Sequence, residues 1–191
     1  VIPQRDREAA LLHAAAGGMG QIACQWARSL GATVIGTAGS EEKVEIAKAN
    51  GCDHVINYTT EDFAERVRAI TGGRGVDVVY DGVGRATFET SLDCLRPRGL
   101  MVSFGNATGP VAIPDLGILS RKGSLYLTRP TGAHYFAERP ALLAGARALF
   151  SAIESGAIKV TIGQRFALAD AAEAHRALEG RRTIGSTILL P

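Results

Sequence analysis

The sequence predicts an α/β fold: a doubly wound parallel sheet with helices on both faces. Three observations predict it. Short apolar runs alternate with amphipathic stretches roughly every 20 to 25 residues, the rhythm of successive βα units. A glycine-rich turn, Ala15-Ala16-Gly17-Gly18-Met19-Gly20, joins the first apolar run to the first amphipathic stretch. Hydrophobic residues make up 46% of the 191 positions, an ordinary globular share, and no apolar run nears the ~20 residues that span a bilayer.

The elements follow in order. Ala9 to Ala14 reads as a buried strand. Met19, Ile22, Ala23, Trp26, Ala27 and Leu30 repeat at helical spacing after the glycine turn. A second strand is expected at Thr33–Gly36 and a helix from Glu41 to about Asn50. His54–Asn57 forms a third strand. Phe63, Val67 and Ile70 share one face of the next helix, which the turn Gly72-Gly73-Arg74-Gly75 ends. Val76–Tyr80 is the fourth strand. Phe88, Leu92 and Leu95 mark a helix, and Leu100–Phe104 is the fifth strand.

Beyond Gly105 the rhythm loosens. Asn106–Ser120 reads as a loop with about one helical turn, Ser124–Leu127 as a sixth strand, and Leu142 to Ile153 as a long helix. Lys159–Ile162 and Gly185–Leu190 are strand candidates, with Asp170 placed to cap a helix running to about Leu178. The expected division is a dinucleotide-binding domain over 8–155 and a C-terminal segment over 156–191 that returns into another domain.

Charge and composition exclude several classes. The 21 basic and 19 acidic residues leave a net charge of +2 without a basic stripe, so nucleic acid is not an expected partner. No membrane span is present, and Val1–Gln4 carries no signal-peptide core, which makes a cytoplasmic location the expectation. Cys24, Cys52 and Cys94 form no C-x-x-C pair and have no histidine at ligand spacing, so small buried thiols are expected and no metal site.

The glycine turn carries the chemistry. Strand, glycine turn and helix is the setting in which G-x-G-x-x-G binds a dinucleotide. Ala15 stands at the first glycine position. Gly17 stands at the second, where backbone approaches a pyrophosphate, and Gly20 at the third, where helix and strand pack closely. Amides and the positive dipole end of the following helix then face the phosphates.

The end of the second strand discriminates between nucleotides. NAD sites place an Asp or Glu there for the ribose hydroxyls, whereas this chain reads Gly36-Thr37-Ala38-Gly39-Ser40. Ser40 and Lys43 stand where a 2′-phosphate is held, which favours NADP. The same Ser40 also reads as a helix N-cap, the same Lys43 as a solvated helix lysine, and Glu41 and Glu42 must point away from the phosphate. Ligands of open α/β sheets bind outside the carboxyl ends of the strands. That rule selects Tyr58, Asp81–Gly84 and Phe104-Gly105-Asn106. Tyr58 can border the adenine or stand as a surface tyrosine, and Gly82 and Gly84 can be turn glycines only. His13, His134 and His175 read as structural residues, and no catalytic residue emerges.

Several segments in order then resemble one family. Leu11–Gly20 with Gln25 and Arg28, Val55-Ile56-Asn57-Tyr58, Val79–Gly84, Ser91–Leu95, Val102–Asn106, Gly123–Tyr126 and Thr128-Arg129-Pro130 are similar to the zeta-crystallin-like quinone oxidoreductases of the medium-chain dehydrogenase/reductase superfamily. The resemblance runs from about Ala10 to Pro191. It implies a Rossmann fold, NADPH as cofactor, and hydride transfer to a quinone without zinc. It further implies that Gly18 and Met19 meet the pyrophosphate, that Ser40, Lys43 and Tyr58 surround the adenosine phosphate, and that Val83 borders the ribose. Phe104, Gly105 and Asn106 approach the nicotinamide side, and Arg181 lies near the 2′-phosphate. A homodimer through the strand at Ser124–Leu127 is a further implication. Two departures stand out. Pro3-Gln4-Arg5-Asp6-Arg7-Glu8 replaces the family's Pro-Gly-Asp-like turn, and nothing corresponds to the family's N-terminal substrate domain. Two other readings remain: an NADPH-dependent enone reductase of the same superfamily, and a truncated NADPH-binding module without turnover.

Overall fold

The computed structural model describes residues 8–180 and 182–191. Six parallel strands form the main sheet in the order β3-β2-β1-β4-β5-β6. They are β1 (Ala9–Leu12), β2 (Thr33–Ala38), β3 (His54–Asn57), β4 (Val76–Asp81), β5 (Leu95–Ser103) and β6 (Tyr126–Thr128). The helices between them are α1 (Gly18–Ser29), α2 (Glu41–Ala49), α3 (Phe63–Ile70), α4 (Phe88–Asp93) and α5 (Gly117–Arg121). The predicted doubly wound sheet is therefore the observed one, and β1 and β4 lie side by side at its switch point.

The core sits on the two faces of this sheet. Leu11, Ile35, Ile56, Val79 and Met101 pack with Val67, Phe88 and Leu92 on one face. Ala10, Leu12, Val34 and Val78 pack with Cys24, Ala27 and Ala47 on the other. Strands buried on both sides read as continuous apolar runs, which is why the pattern was legible. All three cysteines are buried thiols. Cys24 and Cys52 approach to 3.3 Å between sulfurs, and Cys94 Sγ donates to the Thr90 carbonyl.

Several boundaries differ from the expectation. β1 stops at Leu12, because Ala14 turns the chain with a φ of 53°. The buried face of α1 is Gly20, Gln21, Cys24 and Ala27, while Met19 is 66% exposed. The glycine at position 20 decides that rotation: a β-carbon there would lie 2.3 Å from the Ala14 carbonyl oxygen, so only glycine lets this face close on the turn after β1. Leu95 begins β5 instead of ending α4. Asp77 on β4 accepts from Arg96 Nε at 2.6 Å and pulls the segment into the sheet, where Val76 pairs with Leu95. The sixth strand starts two residues late, since Ser124 has a φ of 55° and Leu125 turns into the core.

Three more helices follow: α6 (Gly132–Tyr135), which the sequence pattern did not suggest, α7 (Arg139–Glu154) and α8 (Ala171–Glu179). The strand expected at Lys159–Ile162 lies at Ile162–Ala167 (β7) and pairs in parallel with β8 (Ser186–Leu190) across α8. Asp170 stands at the N-cap of α8 but its side chain makes no capping bond. This segment is tied to α1 and the glycine turn. Gln25 accepts from Lys159 N at 2.9 Å and donates to the Lys159 carbonyl at 3.1 Å, and Gly185 N donates to the Ala16 carbonyl at 3.2 Å. No helix is long and apolar enough to cross a membrane among the described residues.

Candidate functional site

A cleft of about 430 Å³ opens at the carboxyl ends of β1, β2 and β4. Its floor is the turn after β1. Ala14, Ala16 and Gly17 line it, and Gly17 precedes α1 with no side-chain cap on the helix. Gln21 N is bonded back to the Gly17 carbonyl. The amides of Gly18, Met19 and Gly20 therefore stand in the first turn, where a helix has no acceptor of its own. No acidic residue lies in that turn. The end is electropositive and uncontested, the setting in which helix N-termini hold phosphate groups.

Gly39, Lys43 and Tyr58 form one wall. Ser40 is the N-cap of α2, accepting from Lys43 N at 3.3 Å. Glu41 turns toward the end of β3, where Asn57 Nδ2 donates to it at 2.5 Å. One of the two carboxylates beside Lys43 is thus directed to Asn57. Gly39 is glycine because Tyr58 lies over it: a β-carbon there would stand 2.4 Å from the phenolic oxygen.

The opposite wall is Val83, Thr87, Ala107 and Thr108. Asp81, fully buried at the end of β4, shapes it. Its Oδ1 accepts from Val83 N at 2.7 Å and Gly84 N at 3.0 Å, and its Oδ2 from Thr87 Oγ1 at 2.8 Å. Thr108 closes over this turn, donating its amide and its hydroxyl to the Val83 carbonyl, each at 2.8 Å. Thr183, from the C-terminal segment, completes the lining.

Of the residues singled out in the sequence, Gly17, Lys43, Tyr58 and Val83 meet in this cleft. Gly18, Met19, Gly20 and Ser40 flank it without lining it. Gly18 faces β8, where a β-carbon would lie 3.0 Å from Ser186 Oγ, and Gly20 is buried against Ala14 and Ala15 of the turn after β1. Phe104, Gly105 and Asn106 also stand outside the lining. Phe104 covers Gly82, and a β-carbon on Gly105 would lie 2.2 Å from the Gly82 carbonyl oxygen, so this turn buttresses the β4 turn from behind. Arg129 holds it through the Gly105 carbonyl at 3.0 Å. Arg181 lies outside the described residues. Thr108 and Thr183 were missed, because a threonine in a loop carries no sequence signal until the loop is placed.

His13 lies on the floor as a satisfied core histidine. Nδ1 is 2.9 Å from Thr37 Oγ1 and Nε2 is 2.8 Å from Ser91 Oγ. The ring packs edge-on against Phe63 at 5.2 Å. Burial pushes its pKa down to about 4, against the opposing pull of Asp81. No group of three His, Cys, Asp or Glu side chains is placed to hold a metal ion among the described residues.

Residues 18–143 match the family model described as zinc-binding dehydrogenase. A quinone oxidoreductase of Pseudomonas aeruginosa is 56% identical over 187 residues, which cover 98% of this chain and 58% of that protein. A 2-haloacrylate reductase of a Burkholderia species is 52% identical, over 95% of this chain and 55% of that protein. Among solved structures, an Escherichia coli quinone oxidoreductase complexed with NADPH superimposes with a TM-score of 0.95 at 53% identity, over 98% of this chain and 58% of that one. The chain thus spans somewhat more than half the length of these relatives.

Proposed function

The chain belongs to the zinc-binding dehydrogenase family, and from that premise we propose that it is the NADPH-binding part of a quinone oxidoreductase. One observation carries the reading: the switch-point cleft joins an uncapped, acid-free helix N-terminus at Gly17 to a wall with Lys43 and no carboxylate at the end of β2. The residues fit a phosphorylated dinucleotide. First-turn amides of α1 suit the pyrophosphate, Lys43 suits a 2′-phosphate, and Tyr58 borders the adenosine. Ser40 caps the helix that carries Lys43, and the family resemblance implies Arg181 as a second cation for that phosphate.

NADPH, when bound, supplies the hydride. The chain's own residues orient it. Asp81 holds the turn that presents Val83, and the Phe104-Gly105-Asn106 turn backs it. A hydroquinone anion takes its proton from water, so the proposal needs no acid from this chain.

Calorimetry with both nucleotides tests the reading. NADPH is expected to bind more tightly than NADH, because the cation at Lys43 meets a 2′-phosphate that NADH lacks. Equal affinities overturn it. Reduction of activated alkenes is the second reading, favoured by the 2-haloacrylate reductase among the relatives. Comparing quinone with enone turnover separates the two. A third reading, an NADPH-binding module without turnover, predicts binding with neither activity.

Three further parts belong to the proposal. Residues 156–191 pack with a substrate domain of the whole protein. β6, at the open edge of the sheet with Tyr126 62% exposed, pairs with a second copy. The location is cytoplasmic.

A further inference from the structure

A buried chain of hydrogen-bonding groups, drawn from β2, the turn after β1, α4 and β4, runs down from the cleft, which His13 and Thr37 line. Thr37 Oγ1 on β2 is 2.9 Å from His13 Nδ1, and His13 Nε2 is 2.8 Å from Ser91 Oγ on α4. Ser91 Oγ is 3.5 Å from Asp81 Oδ2 at the end of β4, the longest link. All four residues are at most 6% exposed. Each hydroxyl has one proton to give.

The chemistry at one end orders the protons along the whole chain. Asp81 Oδ1 accepts from Val83 N and Gly84 N, which can only donate, while Oδ2 faces the hydroxyls of Thr87 and Ser91, each able to donate to it; Thr87 Oγ1 also lies 3.2 Å from the Gly84 carbonyl oxygen. A carboxylate, which only accepts, satisfies all four contacts. Ser91 gives its proton to Asp81, so its oxygen accepts from His13, and the proton of the ring sits on Nε2. The bare Nδ1 then accepts from the Thr37 hydroxyl. The reverse order would aim two acceptors at each other between Ser91 and Asp81. Burial keeps the imidazole neutral at neutral pH, with its pKa near 4, and a neutral ring has one donor and one acceptor, which this chain requires.

We propose that Asp81, acting through Ser91, sets His13 in its Nε2–H tautomer, and that these three are positioning residues for the turn that presents Val83 to the cleft. The relay joins the floor after β1 to the wall after β4, so the two sides of the cleft are held in one register. The positioning half rests on the cleft being the cofactor site; the tautomer half does not.

Nitrogen-15 NMR of the imidazole reads which ring nitrogen carries the proton. In the wild-type chain at neutral pH the expected result is a protonated Nε2 and a bare Nδ1. In Asp81→Asn the amide oxygen must stay on the Val83 and Gly84 amides, which can only donate. The amide nitrogen then faces Ser91, whose hydroxyl turns its proton to His13. The tautomer is expected to reverse to Nδ1–H, an outcome that loss of packing alone does not produce. A wild-type Nδ1–H tautomer overturns the relay, and so does an Asp81→Asn variant that keeps Nε2–H. Ser91→Ala cuts the chain without touching the Asp81 turn amides. It is expected to give a mixture of tautomers and to raise the NADPH dissociation constant about tenfold, the scale of one lost hydrogen bond to a charged network. Unchanged NADPH affinity in Ser91→Ala overturns the positioning role. A wild-type chain that binds no NADPH but shows the tautomer switch removes the cofactor reading and leaves the relay in place.

Discussion

Ser186 lies against the bare face of Gly18: a β-carbon on Gly18 would stand 3.0 Å from Ser186 Oγ and 3.1 Å from the Gly185 carbonyl oxygen. The second glycine of the Gly17-Gly18 pair therefore makes room for the C-terminal strand, while Gly17 faces the cleft.

That contact changes what a substitution at Gly18 does. Gly18→Val is expected to push β8 off the glycine turn, with the ~1–3 kcal/mol cost of overpacking. Hydrogen exchange should rise first at Gly185 and Ser186, whose amides bond to Ala16 and Thr161. Loss of nucleotide affinity with unchanged exchange there would contradict the assignment. Gly20→Val, by contrast, is expected to lower global stability, because its β-carbon would collide with the backbone of Ala14 and Ala15.

Lys43→Ala is expected to weaken NADPH by about 1 to 2 kcal/mol, the size of a charge-assisted contact, and to leave NADH nearly unchanged. Competition binding with the two nucleotides measures the difference. An equal loss for both would move Lys43 from the 2′-phosphate to a general role in the wall.

His13 makes stability depend on pH. Its folded pKa is near 4 against an ordinary 6.5. Between these values the unfolded chain holds the extra proton, so acid favours unfolding and stability falls as pH drops from 6.5 toward 4. The full shift corresponds to on the order of 3 kcal/mol. Urea titrations across this range should show the slope, and His13→Gln should flatten it. A His13→Gln variant with the same slope assigns the pH dependence elsewhere.

Asp77 acts at lower pH. Burial alone would raise its pKa, but hydrogen bonds from Arg74, Arg96 and Ala9 N outweigh that and hold it at about 2. Its contribution is complete above the ordinary value of 3.8 and is lost as pH falls toward 2. Asp77→Asn is expected to cost roughly 1.5–3 kcal/mol at neutral pH, since these bonds are charge-assisted. Thermal unfolding measures it, and the loss should vanish near pH 2.

The edge at β6 is the place to test assembly. Tyr126→Lys puts a charge on an exposed, apolar strand edge and is expected to turn a dimer into a monomer. Sedimentation velocity reads the change. A wild-type chain that sediments as a monomer at tens of micromolar, an order-of-magnitude working range for weak pairs, removes the dimer.

The sequence by itself determined the layered parallel sheet, the glycine turn at its switch point and the absence of an acid at the end of β2. Each is a local property: period, spacing and residue type within one βα unit decide it. Only the tertiary structure decided which neighbour each residue meets. It set Ser186 against Gly18, Thr183 into the cleft, and Ser91 between His13 and Asp81. It also drew Leu95 out of the helix pattern into β5, through the Asp77–Arg96 pair. The physical reason is the same in each case. These contacts join residues far apart in sequence, so no local periodicity encodes them, and their geometry exists only once the sheet order has brought the strand ends together.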